Sequence, residues 1–158
     1  MKLATFWIED QLFGVNLLLT REISSLLGIT EIPRAPFFIL GLMNLRGQVI
    51  TIIDPSSFLK KNSPKRDEDS RIIIFSSQGE LETLRQRSLL SEITMAQDPF
   101  AFVIDRIDNV IDVDEDLIKP PPQHRSDDQA NLIQGVYESG DQYVSILNMN
   151  EFVKVLIQ

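Results

Sequence analysis

The chain has 158 residues, 43% of them hydrophobic and 24% charged, the balance of a folded globular protein that makes one ordinary domain or two small ones. Its lack of cysteine excludes disulfides, thiolate catalysis and thiolate metal sites and suits a reducing compartment, while a formal net charge of -8 argues against nucleic acid or anionic membrane as partner. No apolar run approaches the roughly 20 residues that cross a bilayer, and the start, Met1 to Phe6, lacks a signal peptide's apolar core, so the reading is of a cytoplasmic protein without direct membrane insertion.

Ala4 to Ile8 and Leu12 to Leu17 are apolar, partly alternating runs around Glu9, Asp10 and Gln11, the pattern of a hairpin with a three-residue loop. Gly14 within it marks a bulge or a close backbone approach. From Thr20 to Leu27, the spacing of Ile23, Leu26 and Leu27 predicts a short helix or turn that Gly28 stops. Pro33 and Pro36 remove two backbone donors, so Ile32 to Phe37 reads as an irregular crossing segment or edge strand. Strand pairing resumes at Phe38, Gly41 interrupts an apolar run, and Arg46 and Gly47 form a hairpin tip. The strand from Gln48 to Asp54 that follows is apolar on both faces and therefore buried.

Lys60 to Ser70 is a polar loop without apolar anchors and the best linker in the chain; its Lys60, Lys61, Lys65 and Arg66 are offset at once by Asp67, Glu68 and Asp69. Arg71 to Phe75 is a strand whose hairpin partner, Phe100 to Asp105, is delayed by an insertion over 76–99. In that insertion Leu81, Leu84, Leu89 and Ile93 fall on one side of a predicted helix, a stripe that docks on its own core or, if exposed, serves a partner. Ile107 to Val113 is β-prone, Pro120 to Pro122 is rigid and extended, and Asp127 and Asp128 begin a loop. Tyr143 to Leu147 is a strand, and Glu151 to Ile157 closes the chain as a short helix.

Two stretches return in altered form. A shift of 94 positions lays Ile39, Gly41, Gln48, Ile52 and Phe58 on identical residues at Ile133, Gly135, Gln142, Ile146 and Phe152. A shift of 87 lays Phe13, Val15, Leu17, Ile23 and Glu31 to Pro33 on Phe100, Phe102, Ile104, Val110 and Ile118 to Pro120. Self-similarity of this kind predicts repeated architecture. With many short strands, it predicts two small β-barrels that share one core, at 1–66 and 67–158, the second carrying the insertion and the termini free to cross between them.

The chain offers little reactive chemistry. Asp112, Asp114 and Asp116 mimic the first ligands of a calcium loop, but Leu117 stands where such a loop needs glycine and Gln123 where it needs glutamate, which leaves a solvated acidic turn and no metal site. His124, the sole histidine, has no motif partner and reads as an exposed loop residue. Asp105 and Asp108 lie in a strand-like stretch at a spacing that does not focus two carboxylates on one point. No phosphate loop, dinucleotide glycine pattern or nucleophile elbow occurs, so an enzyme or a small-ligand barrel is the weakest reading and no cofactor is expected.

The run Gly41-Leu42-Met43-Asn44-Leu45-Arg46-Gly47, the strand end Ile52-Ile53-Asp54, the earlier Phe13-Gly14-Val15 and Arg21-Glu22-Ile23, and Phe102 to Asp105 through Lys119 to Pro122 resemble the CheW family across nearly the whole chain. The resemblance implies an all-β fold of two packed Src-homology-3-like five-stranded barrels with short helices. It also implies a non-enzymatic adaptor that links chemoreceptor (methyl-accepting) cytoplasmic tips to the regulatory domain of a CheA-type histidine kinase, at membrane receptor arrays. An alternative is a divergent adaptor for another kinase pathway, such as surface motility or gene regulation. Carried over by position, the receptor-side residues are Thr20, Glu22, Gly41 and Arg46, with Asn44 and Leu45 shaping the same hairpin, and residues of the second barrel would meet the kinase. Arg46 offers fixed donors to a partner, or it and Glu22 form an internal ion pair that locks the hairpin; Gly41 has a backbone role. The insertion at 76–99, Pro55 after the strand and the order Gly140-Asp141 depart from the family's pattern.

Overall fold

The computed structural model describes residues 1–59, 61–62, 66–86, 95, 98–121 and 131–156. In chain order the elements are β1 (Lys2–Ile8), β2 (Gln11–Asn16), β3 (Thr20–Ser25), β4 (Ile39–Leu45), β5 (Gln48–Ile53), α1 (Ser56–Leu59), β6 (Arg71–Phe75), α2 (Gln78–Gln86), β7 (Phe100–Ile104), β8 (Arg106–Asp112), β9 (Ile133–Ser139), β10 (Gln142–Leu147) and α3 (Met149–Leu156). They form two five-stranded sheets, in the orders β3-β6-β7-β5-β4 and β8-β1-β2-β10-β9. Each sheet rolls up through a lone bridge, Thr30 with Leu42 beyond β3 and Lys119 with Val136 beyond β8, which brings its two outer strands together.

The barrels do not divide the chain at 66/67. The first is β3 to β7, and the second takes β1 and β2 from the N-terminal end and β8 to β10 from the other. The reason lies in two parallel pairings: β2 joins β10 with Phe13 opposite Ser145, and β7 joins β5 with Phe100 opposite Thr51. A parallel partner always comes from a distant stretch, so the hairpins β1-β2 and β6-β7 each complete a barrel built elsewhere. Both sequence shifts appear in these pairs, since Ser145 lies 94 residues after Thr51 and Phe100 lies 87 after Phe13. The bulges agree as well, between Thr20 and Glu22 on β3 and opposite Ala4 and Phe6 on β1.

Period-two alternation sends the two faces of the central strands into different cores. Ile72 and Ile74 of β6, with Ala101 and Val103 of β7, fill the first barrel beside Met43, Leu45, Ile50 and Ile52. Leu3, Leu12, Val144 and Ile146 fill the second. The opposite faces, with Phe6, Phe13, Phe75, Phe100 and Phe102, meet Phe58 of α1 and Phe152 of α3 in a third cluster that belongs to both barrels. The ring of Phe102 lies 4.9 Å from that of Phe75 and 5.3 Å from that of Phe152. Strands apolar on both faces are what a pair of barrels sharing a wall requires.

Three local expectations change. Thr20 to Ser25 is a strand and not a helix, because pairing with β6, Ile23 opposite Ile73, outweighs the local spacing of three apolar residues. The β1-β2 turn has two residues, Glu9 and Asp10, between the pair Ile8 and Gln11. The shift of 87 also slips beyond β8: Lys119 takes the bridging place of Thr30, two residues off the match with Ile32, because a 3-10 turn at Glu115–Leu117 lengthens that connection. The acidic turn itself is a cap, with Asp114 Oδ1 accepting from the Asp116 amide.

The linker begins by crossing to the other barrel, where Asn62 donates its amide to Glu9 at 2.6 Å and Lys61 Nζ lies 3.6 Å from Asp10. The insertion opens as a helix capped by Ser77 and Glu80, with Leu81 buried in the shared cluster beside Met95. Leu89, Ile93, Lys60, Lys65, Pro122, Gln123, His124, Asp127, Asp128 and Ile157 lie outside the described residues.

Candidate functional site

The first barrel closes at one end in a cluster of charged and polar side chains. Leu45 pairs with Gln48, so β4 and β5 are joined by two residues, Arg46 at φ 51° and Gly47 at φ 83°. Positive φ at both places is the turn whose twist suits a hairpin, and Asn or Gly is the usual choice. Asn44 Oδ1 braces it by accepting the Gly47 amide at 3.0 Å. An arginine held left-handed costs about 1 kcal/mol against its ordinary conformation, so the turn's geometry does not explain its presence.

Strand β3 passes beside this tip. The Arg46 guanidinium donates to the Glu22 carboxylate, with 69% of the Arg46 side chain still exposed. One residue earlier, Arg21 Nη1 donates to Gln48 Oε1 at 2.7 Å and lies 3.7 Å from Glu80 Oε1 of α2. The pairing of Phe75 with Thr20 and of Phe100 with Thr51 places both ends of the insertion at this same end of the barrel.

Of the six residues taken as the receptor side, Glu22, Asn44 and Arg46 therefore meet at the tip. The other three are placed differently. Leu45 is buried inside the barrel, and the Thr20 hydroxyl oxygen is buried without a partner among the described residues. Gly41 is buried where Thr30 bridges to Leu42; at φ 151°, a Cβ there would stand 2.3 Å from the Thr30 carbonyl oxygen. Its role is to let the barrel close. Arg21, Gln48 and Glu80 were not assigned from the sequence, although the recurrence of Gln48 as Gln142 was a signal.

The second barrel presents the same end with different chemistry. Its β9-β10 turn is Gly140 and Asp141 between Ser139 and Gln142, and Gly140 has φ 61°. By the two shifts Gly140 stands for Arg46, Asn109 for Glu22 and Asp108 for Arg21. Exposed apolar side chains are kept on both: Ile23 and Val49 on the first barrel correspond to Val110 and Tyr143 on the second.

Two five-stranded barrels that exchange hairpins, share a phenylalanine-rich wall and carry a charged hairpin tip outside define a CheW-like module. The chain belongs to that family, matching the CheW-like domain over residues 2–156. It is 28% identical to the chemotaxis protein CheW of Helicobacter pylori over 149 residues, 94% of this chain and 79% of that one. It is likewise 28% identical to the CheW of Treponema pallidum over 150 residues, covering 95% and 80%. The solved structure of the scaffolding protein TtCheW from Thermoanaerobacter tengcongensis superimposes with a TM-score of 0.75 at 27% identity, covering 94% of this chain and 84% of that chain. Among the described residues, no helix is long and apolar enough to cross a membrane.

Proposed function

We propose that the chain is an adaptor of chemotaxis-type signal transduction that holds chemoreceptor cytoplasmic tips against the regulatory domain of a CheA-type histidine kinase. The family match across residues 2–156 carries this reading. Its mechanism is geometric: two docking faces on one rigid body raise the effective concentration of their partners for each other and couple their conformations. The receptor engages the end of the first barrel, through Arg46, Glu22 and the braced turn. The kinase engages the second barrel, where Val110 and Tyr143 are 53% and 61% exposed. Recruitment by those partners places the protein at membrane receptor arrays.

Pull-down with a cognate receptor cytoplasmic fragment and with the kinase regulatory domain tests the assignment. Each is retained separately, and both are retained together. A folded protein that holds neither overturns it. Arg46→Glu puts two carboxylates side by side at the tip and weakens receptor capture with the melting temperature kept; loss of thermal stability in place of binding would make the pair an internal lock.

A further inference from the structure

We propose that the insertion between β6 and β7 is a positioning device for the docking tip, acting through Glu80, Arg21 and Gln48. Glu80 Oε1 accepts from the Ser77 amide and hydroxyl, each at 3.1 Å, and so closes the N-terminus of α2. The same oxygen lies 3.7 Å from the Arg21 guanidinium, which in turn donates to Gln48, the first residue after the turn. Arg21 sits beside Glu22, the partner of Arg46, so β5 and the strand that carries the tip's counter-charge are tied to the insertion. The insertion is itself anchored, by Leu81 at 2% exposure and by Gln78 Oε1, which accepts the Met95 amide at 2.6 Å.

The second barrel keeps the glutamine, as Gln142, but lacks the other two parts of this chain of contacts. Asp108 replaces Arg21, and the hairpin β1-β2, which stands where β6-β7 stands, turns in two residues with no inserted helix. The contacts are therefore no requirement of the barrel. They exist where the insertion exists, and they end at the tip. A partner that presses on α2 shifts the tip's order, and a partner that orders the tip steadies α2, by one reciprocal coupling free energy.

Amide hydrogen exchange on the full chain tests the coupling in both directions. Glu80→Gln keeps the cap, since glutamine serves in a capping box, but removes the charge that attracts Arg21. It is expected to speed exchange of the Gly47 amide, and of the Leu81 amide at the other end of the same contact, about two- to five-fold, the range of an exposed ion pair. Gln48→Ala, remote from α2, is expected to speed the Leu81 amide by a similar factor. If Gly47 is unchanged in the first variant, or Leu81 in the second, the coupling is overturned. Its consequence for a partner rests on the receptor reading above: Glu80→Gln should weaken capture of a receptor cytoplasmic fragment about two- to five-fold, and unaltered capture, with Arg46→Glu impaired, overturns that consequence. If Arg46→Glu is also unimpaired, the receptor reading fails, while the exchange rates still decide whether insertion and tip are coupled.

Discussion

The two hairpin tips share a strand register but differ in the turn and in what they hold: φ is positive at both Arg46 and Gly47 in the first and, in the second, at Gly140 alone. At the end of β4-β5 the turn carries Arg46 clasped to Glu22; at the end of β9-β10 it carries Gly140 and Asp141, with Asn109 in the place of Glu22. Both strands pair in the same register, both barrels close by the same kind of bridge, and both sit on the same shared wall. Hence the ion pair is not what makes a hairpin of this kind fold. The second barrel serves as an internal comparison for the first: its hairpin pairs in the same register with no counterpart of the Arg46–Glu22 pair.

The comparison breaks most completely at the shared wall. Phe102→Ala removes a ring that touches both barrels through Phe75 and Phe152 and should cost about 3 to 5 kcal/mol. Because the cluster belongs to both, urea unfolding followed by Trp7 fluorescence and by circular dichroism should move together in one transition. Separate transitions for the two probes would mean that the barrels stand independently. A substitution confined to one interior, Ile146→Val in the second barrel, should cost about 0.5 to 1.5 kcal/mol.

Next come the glycines at the two closures. Gly41→Ala sets a Cβ 2.3 Å from a backbone oxygen at φ 151°, and should cost about 2 to 4 kcal/mol. Gly135→Ala meets the Ile118 side chain at 2.5 Å and the Lys119 oxygen at 2.9 Å, without a positive φ; the Ile118 methyl can move, and the cost should be about 1 to 3 kcal/mol. Thermal melts of the two variants rank the closures. A Gly135→Ala protein less stable than Gly41→Ala would show that backbone strain counts for less than crowding here.

These glycines also show how much was legible in the chain. Gly41 and Gly135 matched at a shift of 94 because the hairpins they begin have equal lengths, and their backbone roles follow from the bridges. The match at 87 held from Phe13 through Val110 and failed at the crossing segment, where the 3-10 turn adds residues that no local pattern announces. The exchange of hairpins was hidden for a different reason. Strand pairing is non-local, and apolar runs such as Arg71 to Phe75 show that both faces are buried without showing against what. Within the site, the hairpin tip at Arg46 and Gly47 was legible, whereas the contacts of Arg21 with Gln48 and Glu80 join residues that only the closed barrel brings together.

A smaller effect lies in the brace. Asn44→Ala deletes the acceptor of the Gly47 amide and should cost about 0.5 to 1.5 kcal/mol, the net value of one hydrogen bond. Its counterpart Glu138 lies 4.0 Å from Lys119 instead, an exposed pair whose loss should be near the limit of detection in a denaturation curve. If the two substitutions cost the same, the tips are braced alike and the contrast between them narrows to Arg46.

The smallest change in stability is expected where the change in function is largest. Arg46→Gly converts the first tip toward the second, and three terms act at once. Relief of a left-handed arginine stabilises by about 1 kcal/mol, the freer unfolded chain of glycine costs about 0.5 to 1 kcal/mol, and loss of an exposed ion pair costs about 0.2 to 1 kcal/mol. They nearly cancel, so the midpoint of unfolding should shift by less than about 1 kcal/mol in equivalent stability. Receptor capture should fall all the same, because the guanidinium donors are gone while the backbone that carried them is kept. A variant that unfolds early and binds normally would reverse the assignment, making Arg46 part of the framework after all and leaving Gly140 as the exception that the second barrel compensates elsewhere.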